Sequence, residues 1–303
     1  MIIGITGGTG FIGKAITDYY LEKGDQIVLF TRKTEPARKN NAIIYVTWDP
    51  SSHHVPENVP TLDVIINLAG ATLNKRWSPE YKEIILKSRL DAVKTVLELI
   101  LQQQSCPLLI NASAVGYYGT SLERVFTEAD EMTPSDFLSE VTVKWEAAIE
   151  PCKPLCSRVI PIRFGAVLGP KEGAFPKMML PYKFFAGGTI GSGKQWLSWI
   201  HIQDLVRLID YVVTHSDIKG PVNGTAPEPV QMNEVGRTIG KAMNRPHLFP
   251  VPNFILEALL GEMSVLVLEG QKVLPQKLLD HGFTFDFSTI EKAISNLILL
   301  TNS

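Results

Sequence analysis

Glycines cluster near the start of the chain, directly after an apolar run at residues 2–6. The turn at residues 7–13 reads Gly-Gly-Thr-Gly-Phe-Ile-Gly, and an amphipathic segment follows from Lys14 to Lys23. Glycine permits a sharp turn and a close approach to main-chain N–H groups, and a helix N-terminus attracts anions. This order of strand, turn and helix predicts a site for the pyrophosphate of a dinucleotide. The predicted contacts are Gly7, Thr9, Gly10, Phe11, Ile12 and Gly13.

Two glycine registers fit this turn. Gly8, Gly10 and Gly13 give the spacing G-x-G-x-x-G, whereas Gly7, Gly10 and Gly13 give the wider spacing G-x-x-G-x-x-G. The sequence leaves both registers open. The alternative to either is a glycine-rich turn that binds no ligand.

The residues after the second predicted strand, 26–30, indicate which dinucleotide would bind. In NAD-binding sites an acidic residue here holds the 2′-hydroxyl of the ribose. This sequence has Thr31, Arg32 and Lys33 instead. A hydroxyl and two cations suit a 2′-phosphate, which a guanidinium binds bidentately. The predicted cofactor is therefore NADP(H), and the alternative is a basic loop exposed to solvent.

Hydroxyl groups at the end of the predicted strand 108–113 could do proton chemistry. Ser113 ends the strand, and Tyr117 and Tyr118 follow it closely. A serine hydroxyl can donate a hydrogen bond to a carbonyl oxygen, and a phenol can donate or accept a proton. The alternative is a serine that ends a strand and tyrosines packed in a loop.

Alternating strands and helices would position these groups. Apart from the strands already named, the sequence predicts strands at 42–46, 63–70 and from 158 towards Pro170, and a long helix over 79–104. This alternation predicts an α/β fold with a Rossmann-type, doubly wound parallel sheet. The cofactor of such a sheet lies across the C-terminal strand ends. The residues expected beside it are Leu68, Ala69 and Gly70, with Arg89 reaching in from the long helix.

The pattern changes after Pro170. Glycines at 187–193 predict a loop that faces a substrate, and residues 199–214 predict a helix. Asp204 is expected to cap this helix and His201 to be structural. The predicted Rossmann domain comprises 1–169 and about 199–225. A smaller, mainly helical C-terminal lobe would be formed by about 170–198 and 226–303.

Composition is that of an ordinary globular protein, with 45% hydrophobic and 20% charged residues among 303. A net charge of −2 gives no reason to expect a nucleic acid or membrane partner. The three cysteines lack a zinc-binding spacing, which favours reduced thiols and no metal. The first strand starts at once, so no targeting segment is expected. The predicted location is cytoplasmic, with an organelle still open if the natural precursor is longer.

Together these landmarks resemble the extended or atypical short-chain dehydrogenase/reductases, the group that includes the nucleotide-sugar epimerases. The matching stretches are 6–13, 67–70, Ser113 with 118–119, 163–170, 199–205 and 222–224. The chain from Pro252, with 260–263, 273–275 and 282–285, resembles the C-terminal domain of an epimerase-like subfamily. The resemblance implies a Rossmann fold that binds NADP(H) and adds Phe164 and Val167 to the cofactor site. Homodimers through two long helices, about 80–104 and 137–150, are common in the superfamily.

The resemblance fails at one point. In the superfamily a tyrosine four residues before a lysine does the proton chemistry, with the lysine stabilising the phenolate. Here those positions are Glu140 and Lys144. Either Tyr117 or Tyr118 takes over beside Ser113, or a partly buried Glu140 is the base, or efficient redox catalysis has been lost. Glu140 and Lys144 could also form a plain surface ion pair, with the usual motif in a shifted frame.

The function predicted from the sequence is an NADP(H)-dependent oxidoreductase or epimerase acting on a small carbonyl or hydroxyl compound. The alternative is an NADP(H)-binding regulatory or scaffold protein with little catalytic activity. The absent tyrosine motivates that alternative.

Overall fold

Strands and helices alternate along the first half of the chain. A computed structural model describes residues 1–32, 40–103 and 105–302. The strands are β1 Ile2–Thr6, β2 Gln26–Thr31, β3 Ile43–Thr47, β4 Val64–Asn67, β5 Leu108–Ala114, β6 Val125–Phe126, β7 Arg158–Phe164, β8 Ala166–Leu168, β9 Trp196–Leu197, β10 Trp199–His201, β11 Val222–Gly224, β12 Val230–Gln231 and β13 Lys272–Val273. The helices are α1 Phe11–Glu22, α2 Pro79–Gln102, α3 Phe137–Ala148, α4 Phe175–Lys183, α5 Ile202–Thr214, α6 Met232–Met243, α7 Asn253–Leu260, α8 Val265–Leu268, α9 Gln276–Asp280 and α10 Ile290–Asn302.

The central sheet has seven strands in the order β11-β7-β5-β4-β1-β2-β3. Its pairings β1 with β2, β1 with β4, β2 with β3 and β4 with β5 are parallel. The strand order runs outward from β1 in both directions, so the topological switch point lies between β1 and β4. The predicted Rossmann-type α/β fold with a helical C-terminal region is confirmed.

The chain divides into two units. The first comprises Met1–Ser113, Glu140–Ile162 and Ile209–Pro221, and the second comprises Ala114–Ser139, Arg163–Leu208 and Val222–Ser303. The domain boundaries expected from the sequence stay a prediction. Within the ranges that the structure covers, no helix combines the length and the apolar character needed to cross a bilayer.

One predicted helix start is wrong. Residues 199–201 form strand β10, and α5 begins only at Ile202. The three residues of β10 are buried and pair in parallel with β8, Trp199 opposite Ala166. A buried ladder to β8 therefore outweighs the helical pattern that the sequence shows locally.

A row of buried polar side chains crosses the carboxyl ends of the three central strands. Thr6 pairs with Asn67 in the sheet register, and Asn67 pairs with Asn111. The Thr6 hydroxyl donates to Asn67 Oδ1 at 2.6 Å, and Asn67 Nδ2 donates to Asn111 Oδ1 at 2.6 Å. All three side chains are fully buried. The N–H groups of Leu68 and Ala69 also donate to the Thr6 hydroxyl, so the row fixes the path by which the chain leaves β4.

Replacing Asn67 with leucine should reduce the free energy of unfolding by about 2–5 kcal/mol. The substitution leaves the buried Thr6 O–H without its acceptor and the Asn111 amide oxygen without its donor, and each loss costs about 1–3 kcal/mol. Urea denaturation of both proteins measures the difference. Asn58→Leu is the control because Asn58 is exposed, and its stability should stay within about 0.5 kcal/mol of wild type. Equal losses in both variants would contradict a special role for the buried row.

Candidate functional site

The glycine turn after β1 is shaped by backbone contacts. Gly7 has φ +66°, and a Cβ added there would lie 2.9 Å from the carbonyl of Leu68. A Cβ at Gly13 would lie 2.5 Å from the oxygen of Gly7, and one at Gly8 would lie 2.4 Å from the Leu29 side chain. Backbone atoms therefore exclude side chains at Gly7 and Gly13, whereas at Gly8 the end of the Leu29 side chain would have to shift. Since the positive φ falls on Gly7, the wider of the two glycine registers describes the turn.

Gly10 is different, because little surrounds it. It is exposed and has an extended backbone, and a Cβ there would approach only the Gly7 oxygen, at 3.3 Å. This single contact is tight, but no other atom crowds the position. The exposed side of Gly10 suits the close approach of a ligand to the backbone.

The N-terminus of α1 is not capped by a side chain. Gly10 is the N-cap residue, no side chain bonds to it, and the first turn contains no acidic residue. The first amides of an α-helix have no partner within the helix. The N–H groups of Phe11, Ile12 and Gly13 can therefore donate to an anion, which the helix dipole also favours. These features fit the pyrophosphate of a dinucleotide.

The segment after β4 lies against this turn. Leu68 is the residue that a side chain at Gly7 would strike, and a Cβ at Gly70 would lie 3.3 Å from the side chain of Arg89. Arg89 donates to the carbonyl oxygens of Ala71 and Ile85, at 3.2 and 2.8 Å. Burial lowers the pKa of its guanidinium to about 10. The structure thus brings together the turn, residues 68–70 and Arg89, and Arg89 supports the loop after β4.

The residues predicted to contact a 2′-phosphate differ in their exposure to solvent. Thr31 is the last residue of β2 and is buried, whereas Arg32 is exposed. Asp49 has a pKa below its usual value, mainly because of hydrogen bonds from Ser51 and in smaller part because of the charge of Arg32. Lys33 lies outside the described residues. Of this group, Arg32 offers an accessible cation.

The remaining predicted cofactor contacts lie elsewhere. Thr9 is exposed within the glycine turn. Phe164 ends β7, and Val167 in β8 pairs with Ile200, so both belong to the second unit. Their contact with a cofactor stays a prediction.

A carboxylate that the sequence analysis missed bonds to Ser113. Ser113 is buried at the end of β5, and its hydroxyl donates to Glu146 Oε1 at 2.6 Å. Glu146 lies on α3, one turn after the buried Thr142 and next to the buried Trp145. The sequence did contain a signal. Because Glu146 falls on the apolar stripe of the helix, it needs a polar partner inside the fold.

Glu140 and Lys144 lie on a different face of α3. They form an ion pair at 2.6 Å, and each side chain is 51% exposed. Of the alternatives left open by the sequence, the structure therefore shows the surface ion pair and not a partly buried Glu140. Since Thr142 and Glu146 are spaced four apart on the inner face, the frame that faces Ser113 is shifted by two residues from 140 and 144.

Tyr117 and Tyr118 differ in how deeply they are buried. Tyr118 is 1% exposed, donates to Asn223 Oδ1 at 2.8 Å and accepts from the Arg163 guanidinium at 2.9 Å. Burial raises the pKa of Tyr118 to about 12. Its hydroxyl is committed to structural bonds, so the predicted acid/base role does not suit it. Tyr117 is only partly buried, and its ring lies 3.5 Å from the same guanidinium.

His201 and Asp204 hold the C-terminal part of the second unit. Asp204 is fully buried and accepts the N–H groups of Asp286 and Phe287, at 3.0 and 2.8 Å. Asp204 lies in the first turn of α5 and also forms an ion pair with Arg207 at 2.8 Å, and its expected capping role stays a prediction. His201 stacks on Phe287 with ring centroids 3.8 Å apart, and burial lowers its pKa to about 4. His201 is therefore neutral and structural, as expected.

Comparisons with known families divide the chain in two. The sequence profile of the NAD dependent epimerase/dehydratase family matches residues 3–223. A domain of unknown function, DUF1731, matches residues 251–297. The first match contains the glycine turn, Arg32, Ser113 and Glu146.

Individual relatives match nearly the whole chain. Epimerase family protein YfhF of Bacillus subtilis is 45% identical over 299 residues, 98% of either chain. Epimerase family protein SAR0825 of Staphylococcus aureus is 42% identical, over 97% of this chain and 98% of that protein. The crystal structure of human epimerase family protein SDR39U1 with NADPH is 31% identical, with a TM-score of 0.88, and covers 98% of this chain and 99% of that chain.

Tyr118→Phe should lower the free energy of unfolding by about 2–4 kcal/mol, because it leaves a buried guanidinium and a buried amide oxygen short of a partner. Tyr117→Phe is the matched control and should change it by less than about 0.5 kcal/mol. Denaturant titration of the two variants measures both values. If Tyr117→Phe proved the more damaging change, the assignment of a structural role to Tyr118 alone would be wrong.

Proposed function

The chain belongs to the NAD dependent epimerase/dehydratase family, and from this premise we propose that it is an NADP(H)-dependent oxidoreductase or epimerase. Its substrate would be a small compound with a carbonyl or hydroxyl group. The observation that carries the proposal is the glycine turn, where the exposed Gly10 is the N-cap residue of α1 and no side chain caps the helix. These features suit the pyrophosphate of a dinucleotide.

The preference for NADP(H) rests on Arg32. An exposed guanidinium after β2 suits a 2′-phosphate, whereas an acidic residue at this point would suit the unphosphorylated ribose. The human relative was crystallised with NADPH, and it resembles this chain over nearly its full length.

Ser113 and Glu146 supply a route for a proton. Bound NADP(H) would accept or supply the hydride. When a substrate hydroxyl is oxidised, its proton passes to Ser113 Oγ while the serine proton passes to the Glu146 carboxylate, and reduction reverses both transfers. The 2.6 Å hydrogen bond from Ser113 Oγ to Glu146 Oε1 already positions the serine proton for transfer to the carboxylate. Tyr117 is the remaining tyrosine candidate for a contact with the substrate oxygen.

A second candidate function is an NADP(H)-binding regulatory or scaffold protein. It is favoured by α3, where the exposed Glu140–Lys144 pair stands in the expected positions of the superfamily's tyrosine and lysine. This candidate predicts cofactor binding without turnover. It also predicts a partner whose affinity differs between the NADPH, NADP and cofactor-free states.

Calorimetric titration with NADPH and NADH tests the cofactor site. We expect tight binding of NADPH, weak binding of NADH, and about 10- to 100-fold weaker NADPH binding by Arg32→Ala, because a charge-assisted bond to phosphate contributes about 1.5–3 kcal/mol. Arg237→Ala, another exposed arginine, is the control and should bind as wild type.

Gly10→Ala separates binding from folding in the same titration. The backbone angles of Gly10 accept alanine, although its Cβ would lie 3.3 Å from the Gly7 oxygen. Stability should therefore stay within about 1 kcal/mol of wild type while NADPH binding is lost. Equal affinity for both cofactors in the wild type would remove Arg32 from the site. Absence of binding to either would contradict the proposed function.

Turnover is measured as the loss of NADPH absorbance with a panel of small carbonyl compounds and nucleotide sugars. With any compound that reacts, Ser113→Ala and Glu146→Gln should each lower kcat by about 10²- to 10⁴-fold, the usual contribution of a proton-transfer group. Glu140→Gln is the matched control and should leave kcat unchanged, because that side chain faces solvent.

Unchanged kcat in Glu146→Gln, or an equal loss in Glu140→Gln, would exclude the proton route. If no compound reacts while NADPH still binds, the second candidate function is favoured over the first.

A further inference from the structure

All three cysteines of the chain lie beside the starts of two neighbouring strands. Cys106 comes two residues before β5, and Cys156 comes two residues before β7. Cys152 precedes Cys156 by one turn of the short 3₁₀ segment Glu150–Leu155. The strands β5 and β7 are adjacent in the sheet order. The function proposed above makes no use of these thiols.

A backbone hydrogen bond holds the two strand starts together. The N–H of Ser157 donates to the carbonyl oxygen of Pro107 at 3.1 Å. Cys156 and Cys106 are the residues directly before this bonded pair. Adjacent strands lie about 4.8 Å apart and rise about 3.3 Å per residue, which implies a Cα separation of about 5–6 Å for the two cysteines. A disulfide spans about 4.4–6.8 Å between Cα atoms, so the backbone is already placed for one.

The three thiols differ in their exposure to solvent. Cys106 is exposed, Cys156 is half-buried and Cys152 is fully buried. An oxidant dissolved in water therefore reaches the sulfur of Cys106 first. An oxidised cysteine is open to attack by a neighbouring thiol, and the half-buried Cys156 on the adjacent strand start is placed to be that second thiol.

The thiol of Cys156 lies close enough to the other two to be affected by their charge. Burial raises its pKa to about 12, and the charges of Cys152 and Cys106 contribute to the same shift. Burial raises the pKa of Cys152 to about 11. Both side chains are therefore neutral thiols at neutral pH, and the reaction with an oxidant begins at Cys106. In the described part of the chain, no group of His, Cys, Asp and Glu residues is arranged to hold a metal ion.

We propose that Cys106 and Cys156 form a reversible disulfide bond when the protein meets a peroxide. The Cys106 sulfur attacks one peroxide oxygen, the O–O bond breaks, and a sulfenic acid and one water form. The Cys156 sulfur then attacks the Cys106 sulfur, the S–O bond breaks, and the oxygen leaves as a second water with the Cys156 proton. The two thiols lose two electrons and two protons, and the peroxide takes up both. A dithiol reductant reverses the reaction by thiol–disulfide exchange.

This bond joins the two ends of the segment that carries the proposed proton route. Residues 106–156 contain Ser113 on β5 and Glu146 on α3. A cross-link between the ends of a segment removes freedom from the unfolded chain and thereby stabilises the folded protein. The disulfide lies at the start of β5, whereas Ser113 lies near its end. The expected effect of oxidation is therefore on stability and not on the chemistry at Ser113.

Mass spectrometry of the full chain, treated with hydrogen peroxide and then with an alkylating agent, tests the proposal. Trypsin cuts after lysine and arginine but not before proline. It therefore releases peptide 95–124, which contains Cys106, and peptide 145–158, which contains Cys152 and Cys156. We expect these two peptides to be joined, with a mass two hydrogens below their sum, and to separate after treatment with dithiothreitol.

Variants identify the two partners. Cys106→Ser and Cys156→Ser should each lower the yield of joined peptides at least about tenfold. Cys152→Ala is the matched control and should keep them, because a buried cysteine behaves as a small apolar residue that alanine can replace. The oxidised wild type should melt about 3–8 °C above the reduced protein, a difference that Cys106→Ser should lack. Circular dichroism follows the melting and checks that each reduced variant is folded.

Three results would overturn the proposal. The first is oxidation that yields no joined peptides. The second is loss of the joined peptides in Cys152→Ala but not in Cys156→Ser, which would make Cys152 the partner. The third is a disulfide between the Cys106 residues of two chains, which a non-reducing gel shows as a dimer. The assay contains neither NADP(H) nor a substrate, so its outcome is separate from that of the proposed function.

Discussion

The hydrogen-bonded row of Thr6, Asn67 and Asn111 is the constraint on which the site depends. Polar groups in a dry sheet must find partners, and here the sheet register supplies each partner from the adjacent strand. The Thr6 hydroxyl, at one end of the row, also accepts hydrogen bonds from the N–H groups of Leu68 and Ala69, where the chain leaves β4. The glycine turn packs on that chain, so the position of this turn depends on three buried side chains.

Helix α3 carries polar residues that differ from the tyrosine and lysine of the superfamily's motif. The face that bonds to the end of β5 carries Glu146, while the positions aligned with the superfamily's motif form a solvent-exposed ion pair. A carboxylate hydrogen-bonded to serine accepts a proton by a different route from that of a phenolate stabilised by lysine. In the function that we propose, an acid group therefore takes the place of the superfamily's tyrosine.

The sequence was sufficient for the features that local rules govern. The glycine turn, the succession of strands and helices and the cation after β2 follow from backbone sterics, periodicity and charge at known offsets. Features that depend on distant partners were not accessible in this way. The burial of Tyr118 depends on Arg163 and Asn223, and the strand at Trp199–His201 depends on a ladder to β8. The sequence shows Glu146 as a charged residue within an apolar stripe of α3, but it does not show that Ser113 is its hydrogen-bond partner.

The buried carboxylate of Asp204 bears on how the chain is divided into modules. It belongs to the portion matched by the epimerase/dehydratase family, and its two backbone partners, Asp286 and Phe287, belong to the portion matched by the domain of unknown function. Removing the latter would take away both N–H donors and leave the buried Asp204 with Arg207 as its ion-pair partner, at 2.8 Å. The two matched regions therefore share the hydrogen bonds that satisfy one buried carboxylate, although they belong to different families.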